Sequence, residues 1–468
     1  MTRTSATHSL SGSELFRAAR DQFRKFPEFR DPTRIEIPIE DFFMSGLAIF
    51  ALKIPSLLQY EAEIRKERNF SNLQNLFYIS RAPSDTHMRS VIDKYEGDVF
   101  RPVFRAIFER AQRAKVLEEF ALWDNTYALA VDGTGYFSSD SVHCENCLQK
   151  KHKSTGETTY HHQMLSGAIV HPDKRLVIPV CPTAIQNRDG QTKNDCEQNA
   201  MKRFLVAYRE DHPKLKTILL TDALHATLPC LELLEKLNMD FILNVKPGSH
   251  EKLFSGLDRR ETNEEVHHFE DEETIGDKVK KKVTRHYRYF NGVLLNHQST
   301  TRTVNFLEYW ETTQWIQKLR GGKEKIREEK VHFSWITNYS LYESSCRQIA
   351  RTGRTRWKIE NETFNALKNQ GYEFEHNFGH GNKNLSSNFA HLMMLAFLID
   401  QLQEMKCKVF QASLLRVFNT RSRLWQKLKA IYEFMPIEFS DWMEFLSFFV
   451  EPKPWFKTRE EVRASNSS

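Results

Sequence analysis

The chain has 468 residues, of which 40% are hydrophobic and 27% are charged. This composition is that of an ordinary globular protein and excludes a wholly disordered, collagenous or coiled-coil chain. The 67 basic and 61 acidic residues leave a net charge of +6, which permits a nucleic-acid partner without requiring one. The length predicts two or three domains.

The cysteine content and the N-terminus indicate where the protein resides. Seven cysteines are too few for a disulfide framework, and their odd number favours a reducing compartment. The first residues lack the apolar run of a secretory signal. The longest apolar run, residues 42–52, is shorter than the ~20 residues that span a bilayer. We therefore expect a soluble, intracellular protein that does not enter a membrane.

The N-terminal quarter is predicted to be helical. Residues 1–40 are polar and mixed in charge, which predicts a flexible arm, whereas residues 41–124 carry apolar residues at helical spacing. Pro83 separates two short helices, and Ser84 is placed to cap the second of them. Two short helices around a turn are compatible with a DNA-reading helix-turn-helix and equally with a helical cap on the next domain.

Residues 125–248 show a different pattern. Short apolar runs predict strands, and a polar helix near 194–208 and a further helix near 228–237 are predicted between the later strands. The runs are 127–131, 162–170, 175–181, 217–221 and 241–246. Three strands followed by alternating helices and strands predict an α/β fold, with a mixed sheet flanked by helices.

The rest of the chain divides into three segments. Residues 249–330 are charge-dense with alternating hydrophobicity, which predicts a β-rich insertion whose basic runs, 278–282 and 320–325, face either DNA or solvent. Residues 331–405 return to the sheet with a strand, a basic helical stretch and an amphipathic helix at 385–405. Residues 406–468 are predicted to form C-terminal helices and a polar tail.

Two aspartates occupy the ends of predicted strands. Asp132 follows the first apolar run and Asp222 follows the fourth. A carboxylate at the end of a buried strand is costly unless it is compensated, and two of them suggest a shared divalent cation. Oxygen ligands favour Mg²⁺ or Mn²⁺. Either aspartate alone could instead be a turn former or a helix cap.

A third acid lies in the segment 354–368. Arg356 and Glu360 are four residues apart, so a helix would place them on one face, either toward the strand ends or as a surface ion pair. Glu362 is the competing candidate. The run 347–358 carries five basic residues and no acid, a pattern suited to a phosphate backbone, and Trp357 within it is expected to be buried.

Three blocks of sequence carry a resemblance. Val131-Asp132-Gly133, Leu220-Thr221-Asp222 and the block from Arg356 to Glu360 resemble the catalytic blocks of DDE-type insertion-sequence transposases, in particular the group with a Tyr-Arg-Glu-Lys signature. The resemblance implies an RNase H-like catalytic core formed by residues 125–248 and 331–405. It implies catalysis by Asp132, Asp222 and Glu360, which would also hold two Mg²⁺ ions, with Mn²⁺ able to substitute.

The resemblance and the basic run together predict DNA-binding residues, namely Arg354, Arg356, Lys358 and Lys368. Two positions depart from the signature. Gly353 stands where the signature has tyrosine, and Leu367 stands where it has lysine, with Lys368 one residue later. The resemblance implies that these two positions of the signature serve, among other things, to hold the end of the DNA strand, so the departures concern that part of the mechanism.

The implied function is metal-dependent cleavage and transfer of DNA strands in cut-and-paste transposition of an insertion sequence. The implied partners are double-stranded DNA, as element ends and target, and a second copy of the chain in a homodimer on DNA. Residues 41–124 are expected to bind the element ends, and the expected location is the prokaryotic cytoplasm, at the nucleoid. Two alternatives are a catalytically inactive DNA-binding relative and a hydrolytic nuclease of the same fold.

One further motif has the residue types of a metal site. Cys144 and Cys147, with histidines at 143, 152, 161 and 162, are compatible with a small zinc site or with an incidental cluster. His376 and His380 are four residues apart, but neighbouring glycines argue against a helical metal face, and a loop lining the DNA or an ordinary surface loop is expected there. No Walker-type loop is present, so ATP dependence is not expected.

Overall fold

The computed structural model describes residues 10–66, 70–186, 196–261, 266–276, 279–295, 302–318, 324–434 and 438–450. The start of the predicted N-terminal arm, residues 277–278 and 319–323 in and beside the two basic runs, and the polar tail lie outside these ranges.

The described strands lie between residues 127 and 337, and helices precede them, follow them and alternate with them near residues 197–261. The helices are α1 Gly12–Phe23, α2 Ile39–Ala51, α3 Leu57–Gln59, α4 Phe70–Phe77, α5 Asp85–Ile92, α6 Arg101–Arg113, α7 Glu197–Asp211, α8 Leu228–Lys236, α9 Glu251–Glu261, α10 Glu343–Gly353, α11 Asn365–Asn369, α12 Leu385–Lys406, α13 Lys408–Ala412, α14 Arg421–Phe434 and α15 Trp442–Ser447. The strands are β1 Tyr127–Ser139, β2 Leu148–Lys151, β3 Thr158–Val170, β4 Ile178–Pro179, β5 Thr183–Ile185, β6 Thr217–Thr221, β7 Asp240–Asn244, β8 His267–Ile275, β9 Lys281–Leu294, β10 Thr303–Lys318 and β11 Glu324–Thr337.

All of these strands belong to one mixed sheet. Its order is β2-β3-β1-β6-β7-β11-β10-β9-β8, with β4 and β5 paired to β3. Strands β1, β6 and β7 run parallel, while β3 and β11 pair antiparallel on either side of them. The parallel strands are short apolar runs buried on both faces, as parallel strands covered by helices must be. The predicted α/β class is confirmed.

The β-rich insertion continues the central sheet. Strand β11 pairs with β7 through residues 335–337 and with β10 along its whole length. One long strand therefore belongs to both the core and the insertion. Its first seven residues are exposed and mostly charged, whereas its last four are buried. The sequence pattern predicted a β-rich segment, but neither the helix α9 within it nor the change from an exposed to a buried environment along β11 was predicted.

The helical layer differs from prediction in two places. Residues 12–23, predicted to belong to a flexible arm, form helix α1, and its Leu15, Phe16 and Phe23 are fully buried. Helix α12, predicted to be amphipathic, is buried on nearly all sides because it packs along α2 and lies under the sheet segments around β4. Ser84 does cap α5, accepting a hydrogen bond from the backbone N–H of His87. Among the described residues, every helix is too short or too polar to cross a membrane.

Candidate active site

Asp132 and Asp222 lie side by side. Asp222 directly follows β6, but the prediction that Asp132 ends its strand was wrong, because β1 continues to Ser139. Strands β1 and β6 are parallel neighbours, with Ala130 opposite Leu220, so Asp132 and Asp222 follow at the same level two residues later. Neighbouring strands are about 4.8 Å apart. The local cause is the sequence itself, because two apolar runs of similar length enter one sheet in the same direction and each ends in an acid.

Arg356 connects Glu360 to Asp132 by hydrogen bonds to both carboxylates. The Arg356 guanidinium donates to Asp132 Oδ2 at 3.0 Å and to Glu360 Oε1 at 2.6 Å. Arg356 belongs to a short 3₁₀ helix, Arg354–Trp357, and Glu360 to the π-helical turn Ile359–Phe364 that follows it. Such π-helical turns are rare and frequently occur at functional sites. The predicted sharing of one face by Arg356 and Glu360 is therefore observed, although the backbone is not a regular α-helix.

The competing acid has a different position. The Glu362 carboxylate lies 3.5 Å from the Arg175 guanidinium and lines a groove on the other side of the segment 354–362. Glu360 is instead joined to Asp132 by their common arginine. The geometry favours Glu360 over Glu362 as the third member of the site.

Asp132 is electrostatically strained. Burial raises the pKa of its carboxyl to about 6, and the negative charges of Glu360 and Asp222 raise it as well. The Arg356 guanidinium and the Gly133 backbone N–H act in the opposite direction but do not cancel the effect. Burial of the carboxylate is thus the main cause of the raised pKa, and a cation bound to the carboxylate would offset that cost.

Two residues beside these acids, Glu197 and His225, were not predicted from the sequence. Glu197, on the first turn of α7, accepts a hydrogen bond from His225 Nε2 at 3.0 Å if that nitrogen is protonated. A side chain at Gly133 would come within 2.5 Å of the Glu197 carboxylate, so this carboxylate lies directly against the residue after Asp132. His225 belongs to the 3₁₀ turn Ala223–His225 that Asp222 caps by accepting from the Leu224 N–H at 3.0 Å. Both readings of Asp222, helix cap and site acid, are thus compatible with its position.

The donor set suits hard divalent cations. Asp132 and Asp222 are half-buried and Glu360 is exposed, so their oxygens border an accessible cleft. Carboxylate oxygens are the ligands that Mg²⁺ and Mn²⁺ prefer. In the structure the compensating charge is Arg356.

The other predicted DNA-binding residues contact protein atoms. Arg354 pairs with Glu311 at 2.8 Å, and Lys368 pairs with Glu375 at 2.7 Å. The Lys358 ammonium is buried and donates to the carbonyl oxygens of His171, Pro172 and Lys174. Their assignment to DNA stays a prediction. Trp357 is 44% exposed, so the prediction that it is buried was wrong.

A groove of about 810 Å³ lies beside this segment. We call it the charged groove, because seven basic and five acidic residues line it together with uncharged side chains: Asp173, Lys174, Arg175, Asp271, Glu273, Arg285, Glu311, Arg347, Arg351, Arg354, Lys358 and Glu362. Many of the charges are paired across it, for example Arg347 with Asp271 at 2.9 Å. Trp357 is exposed in its wall.

Gly353 explains one departure from the transposase signature. A Cβ atom at this position would lie 2.7 Å from the Trp335 indole nitrogen and 3.1 Å from an Ile242 methyl group. Helix α10 therefore packs against β7 and β11 so closely that only glycine fits. The tyrosine of the signature has no space here.

The Cys144–Cys147 motif joins a different cluster. Its two sulfurs lie with the imidazoles of His162 and His380, and the four potential ligand atoms are all within 4.8 Å of one another. His143, His152, His161 and His376, which were also considered from the sequence, are not members of this cluster. The cluster lies beyond the bulged end of β1, beyond Asp132 along the strand.

Comparison with known proteins identifies the family. A family model described as "Transposase DDE domain" matches residues 127–399. The chain belongs to the DDE transposase family. The match covers both parts of the predicted RNase H-like core and the insertion between them, and it confirms that resemblance, though not membership of the Tyr-Arg-Glu-Lys group. Proteins of this family act on DNA and generally use divalent metal ions. A comparison with curated proteins finds no match.

Proposed function

We propose that this transposase cleaves and joins DNA strands in cut-and-paste transposition of an insertion sequence, with Asp132, Asp222 and Glu360 as its catalytic acids and metal ligands. The observation that carries the proposal is the Arg356 bridge. It brings Glu360 to Asp132, 228 residues earlier in the chain, at the point where Asp222 ends the neighbouring parallel strand.

The metal chemistry fits the donor set. Two divalent ions, Mg²⁺ with Mn²⁺ able to substitute, would supply the activation of a water or a 3′-hydroxyl and the stabilisation of the leaving oxygen at a scissile phosphate. The protein holds the carboxylates in place by backbone geometry. The parallel pairing of β1 and β6 fixes Asp132, within β1, beside Asp222, which directly follows β6, and the π-helical turn directs Glu360 toward them.

Arg356 has a second role in this proposal. Its guanidinium compensates Asp132 and Glu360 in the absence of DNA, and it is the cation nearest to both. A phosphate entering the cleft offers the same kind of partner, and arginine binds phosphate in a bidentate geometry. We infer that Arg356 exchanges a carboxylate for a DNA phosphate, which releases carboxylate oxygens for metal binding when substrate arrives.

The partners follow from this assignment. Double-stranded DNA, as element ends and target, would lie across the cleft, with the charged groove beside it. Two ends must be processed together, so the active form would be a homodimer on DNA. The helical region 41–124 is the candidate for end recognition, and the cytoplasm at the nucleoid is the expected location.

The test is a cleavage and strand-transfer assay on DNA that carries the ends flanking the gene of this protein. Wild-type protein should nick the ends with Mg²⁺ or Mn²⁺, remain inactive without a divalent ion, and join pre-cut ends to a target. Glu360→Gln should abolish both steps, whereas Glu362→Gln, the matched control two residues away, should keep them.

Three outcomes would contradict the proposal. Cleavage by Glu360→Gln at the wild-type rate would remove Glu360 from the site. Metal-dependent cleavage without any joining of pre-cut ends would identify a hydrolytic nuclease. Wild-type protein that binds the ends but never cleaves them would identify an inactive relative.

A further inference from the structure

The side chains of Cys144, Cys147, His162 and His380 bring four potential zinc-ligand atoms within 4.8 Å of one another. The two sulfurs are 3.9 Å apart, and His162 Nε2 lies 3.3 Å from one sulfur and 3.4 Å from the other. His380 Nε2 lies 3.2 Å from the Cys147 sulfur. A tetrahedral zinc ion, with bonds of about 2.3 Å to sulfur and 2.0–2.1 Å to nitrogen, sets its ligand atoms roughly 3.3–3.8 Å apart.

We propose that these four side chains form a structural zinc site, separate from the acidic site and independent of its function. Two thiolates and two neutral imidazoles balance the charge of Zn²⁺, and a tetrahedral set of two sulfurs and two nitrogens is typical of zinc. Since all four positions come from the protein, no position is left for a substrate. The site would be closed and structural rather than catalytic.

Burial strengthens the case. Cys147, His162 and His380 are all buried, and Cys144 is partly buried. Without a metal, two thiols and two imidazoles would meet through weak S–H and N–H contacts, because sulfur is a poor hydrogen-bond partner. Burying polar groups without good partners is unfavourable. A metal ion would satisfy all four groups at once.

The surroundings are built to hold this geometry. The two cysteines sit in a tight turn, in which the Cys147 N–H donates to the Cys144 carbonyl at 3.2 Å and the Cys144 N–H points to the Cys147 sulfur at 3.4 Å. A β-bulge at Tyr136 places consecutive aromatic residues against the cluster. The Tyr136 ring stacks on His162, and the Phe137 ring packs on His380 with centroids 4.4 Å apart. These rings shield the site from water.

The ligands come from three parts of the chain. Cys144 and Cys147 precede β2, His162 lies on β3, and His380 lies in the loop before α12, 233 residues after Cys147. A zinc ion would therefore tie the end of the sheet to the loop that leads into the central helix. Cross-links that close long loops restrict the unfolded chain most.

The same loop is also held without a metal. The Asp93 carboxylate accepts hydrogen bonds from four successive N–H groups, those of residues 382–385, at 2.8–3.1 Å. The Asn146 side chain donates to the Lys383 carbonyl and to Asn384 Oδ1. Substitution of one zinc ligand therefore leaves other contacts that keep the loop in place, so the substituted proteins are expected to fold.

The test measures metal content in the full-length protein, purified without added metal. We expect about one zinc ion per chain. His162→Gln and His380→Gln should lose most of it. The matched controls are His161→Gln, the neighbouring residue that points to the other face of β3, and His376→Gln, on the same loop but exposed. Both controls should retain zinc at the wild-type level.

A second measurement needs no substitution. Co²⁺ exchanged into the wild-type protein should give tetrahedral d–d absorption together with thiolate-to-metal charge transfer, and X-ray absorption of the zinc protein should show two sulfur and two nitrogen ligands. Absence of zinc from protein expressed in zinc-supplemented medium would overturn the proposal. So would equal zinc content in His162→Gln, His380→Gln and their controls, or a metal spectrum without sulfur ligands.

Discussion

Two carboxylates in this protein are paired differently, although burial raises the pKa of both. Asp400, on α12, is buried with Lys53, whose side chain is 3% exposed and whose ammonium lies 2.7 Å from the carboxylate. Tyr372 also donates to Asp400, and Lys53 donates to the Phe50 carbonyl and lies over the Tyr372 and Trp425 rings. Asp132 instead shares one guanidinium with Glu360 and has Asp222 and Glu197 nearby.

The difference separates stability from function. At Asp400 every charge has a partner inside the fold, which is what a structural ion pair requires. At Asp132 acids outnumber the positive charges, and the side chain keeps 19% of its surface exposed to the cleft. An excess of carboxylates facing solvent is unfavourable for folding and is useful only if a cation arrives from outside. Perturbed carboxyl groups of this kind concentrate at functional sites.

The largest expected effect is at Asp222, where one substitution can separate the helix-cap role from the proposed role in metal binding. Asp222→Asn keeps an oxygen that can accept from the Leu224 N–H, so the cap and the fold should survive. It removes one negative charge from the proposed metal site, where several kcal/mol of transition-state stabilisation are at stake. We expect DNA cleavage to fall roughly a thousandfold or more, measured as the nicking rate with Mg²⁺.

The control for Asp222→Asn is thermal unfolding in buffer without divalent ions. An unchanged melting temperature together with lost cleavage assigns Asp222 to chemistry. A large fall in melting temperature would mean that the cap, and not the metal site, is its main role.

For Lys53→Met we expect the reverse of Asp222→Asn, namely lost stability with unchanged cleavage. Removing this ammonium leaves the Asp400 carboxylate buried without its cation, which typically costs about 3–5 kcal/mol. We expect the free energy of unfolding to fall by that order, measured by urea denaturation, while the cleavage rate of the folded protein stays the same. In the double variant Lys53→Met/Asp400→Leu most of the stability should return, since no charge is left unpaired.

Lys53 would not be the partner that stabilises Asp400 if the single variant lost less than about 1 kcal/mol, the value of an exposed pair. A cleavage defect in the folded Lys53→Met protein would also contradict the separation between the two regions.

A smaller effect is expected at Glu197, which lies against Gly133 and pairs with His225. We infer that it orients the turn that carries Asp222 and adds negative charge to the cleft. Partners that position metal ligands typically contribute 10–100-fold, so Glu197→Gln should lower the cleavage rate by roughly that factor. The apparent affinity for Mn²⁺, from the metal dependence of the rate, should fall in parallel.

Glu210→Gln is the matched control for Glu197. It lies on the same helix, pairs with Arg101 at 2.9 Å and is 62% exposed. A loss of cleavage in both variants would indicate damage to α7 rather than a role for Glu197 at the site.

The sequence predicted that Asp132 and Asp222 are neighbours because that signal is local. Each follows an apolar run, and the two runs pair in parallel within β1 and β6, so the residues after them lie side by side. The continuation of β1 from Asp132 to Ser139 was not predicted. Glu360 was found through its spacing from Arg356, which a helical turn of any type preserves approximately. The charge-dense insertion was likewise recognised by its alternation, which reports strands directly.

Other features carry no local signal. Glu197 begins a polar helix and resembles any surface acid until the sheet places it beside Gly133. His380 joins Cys147 across 233 residues, and only the path of the loop before α12 brings them together. Trp357 was expected inside because aromatic residues usually are, but it faces the charged groove. Tertiary packing decides each of these cases, and a sequence pattern reports only neighbours along the chain.

The stability of Asp132→Asn in metal-free buffer tests most directly how Asp132 differs from Asp400. The pKa of Asp132 in the folded protein is about 6, above the 3.8 of a free side chain. The folded state therefore binds this proton more tightly than the unfolded state. Its contribution to stability decreases as the pH rises from about 4 to about 6 and stays low above that. An amide at this position has no charge to desolvate.

We therefore expect Asp132→Asn to be inactive and yet more stable than the wild type at pH 7, by about 1–2 kcal/mol in urea denaturation, with little difference at pH 4. Asp400→Asn should be less stable at pH 7, because it leaves the Lys53 ammonium buried without its carboxylate. The pair of variants measures opposite signs for the same chemical change. If Asp132→Asn lost stability at pH 7, the Arg356 contact would outweigh the burial of the carboxylate, and Asp132 would resemble Asp400 instead of differing from it.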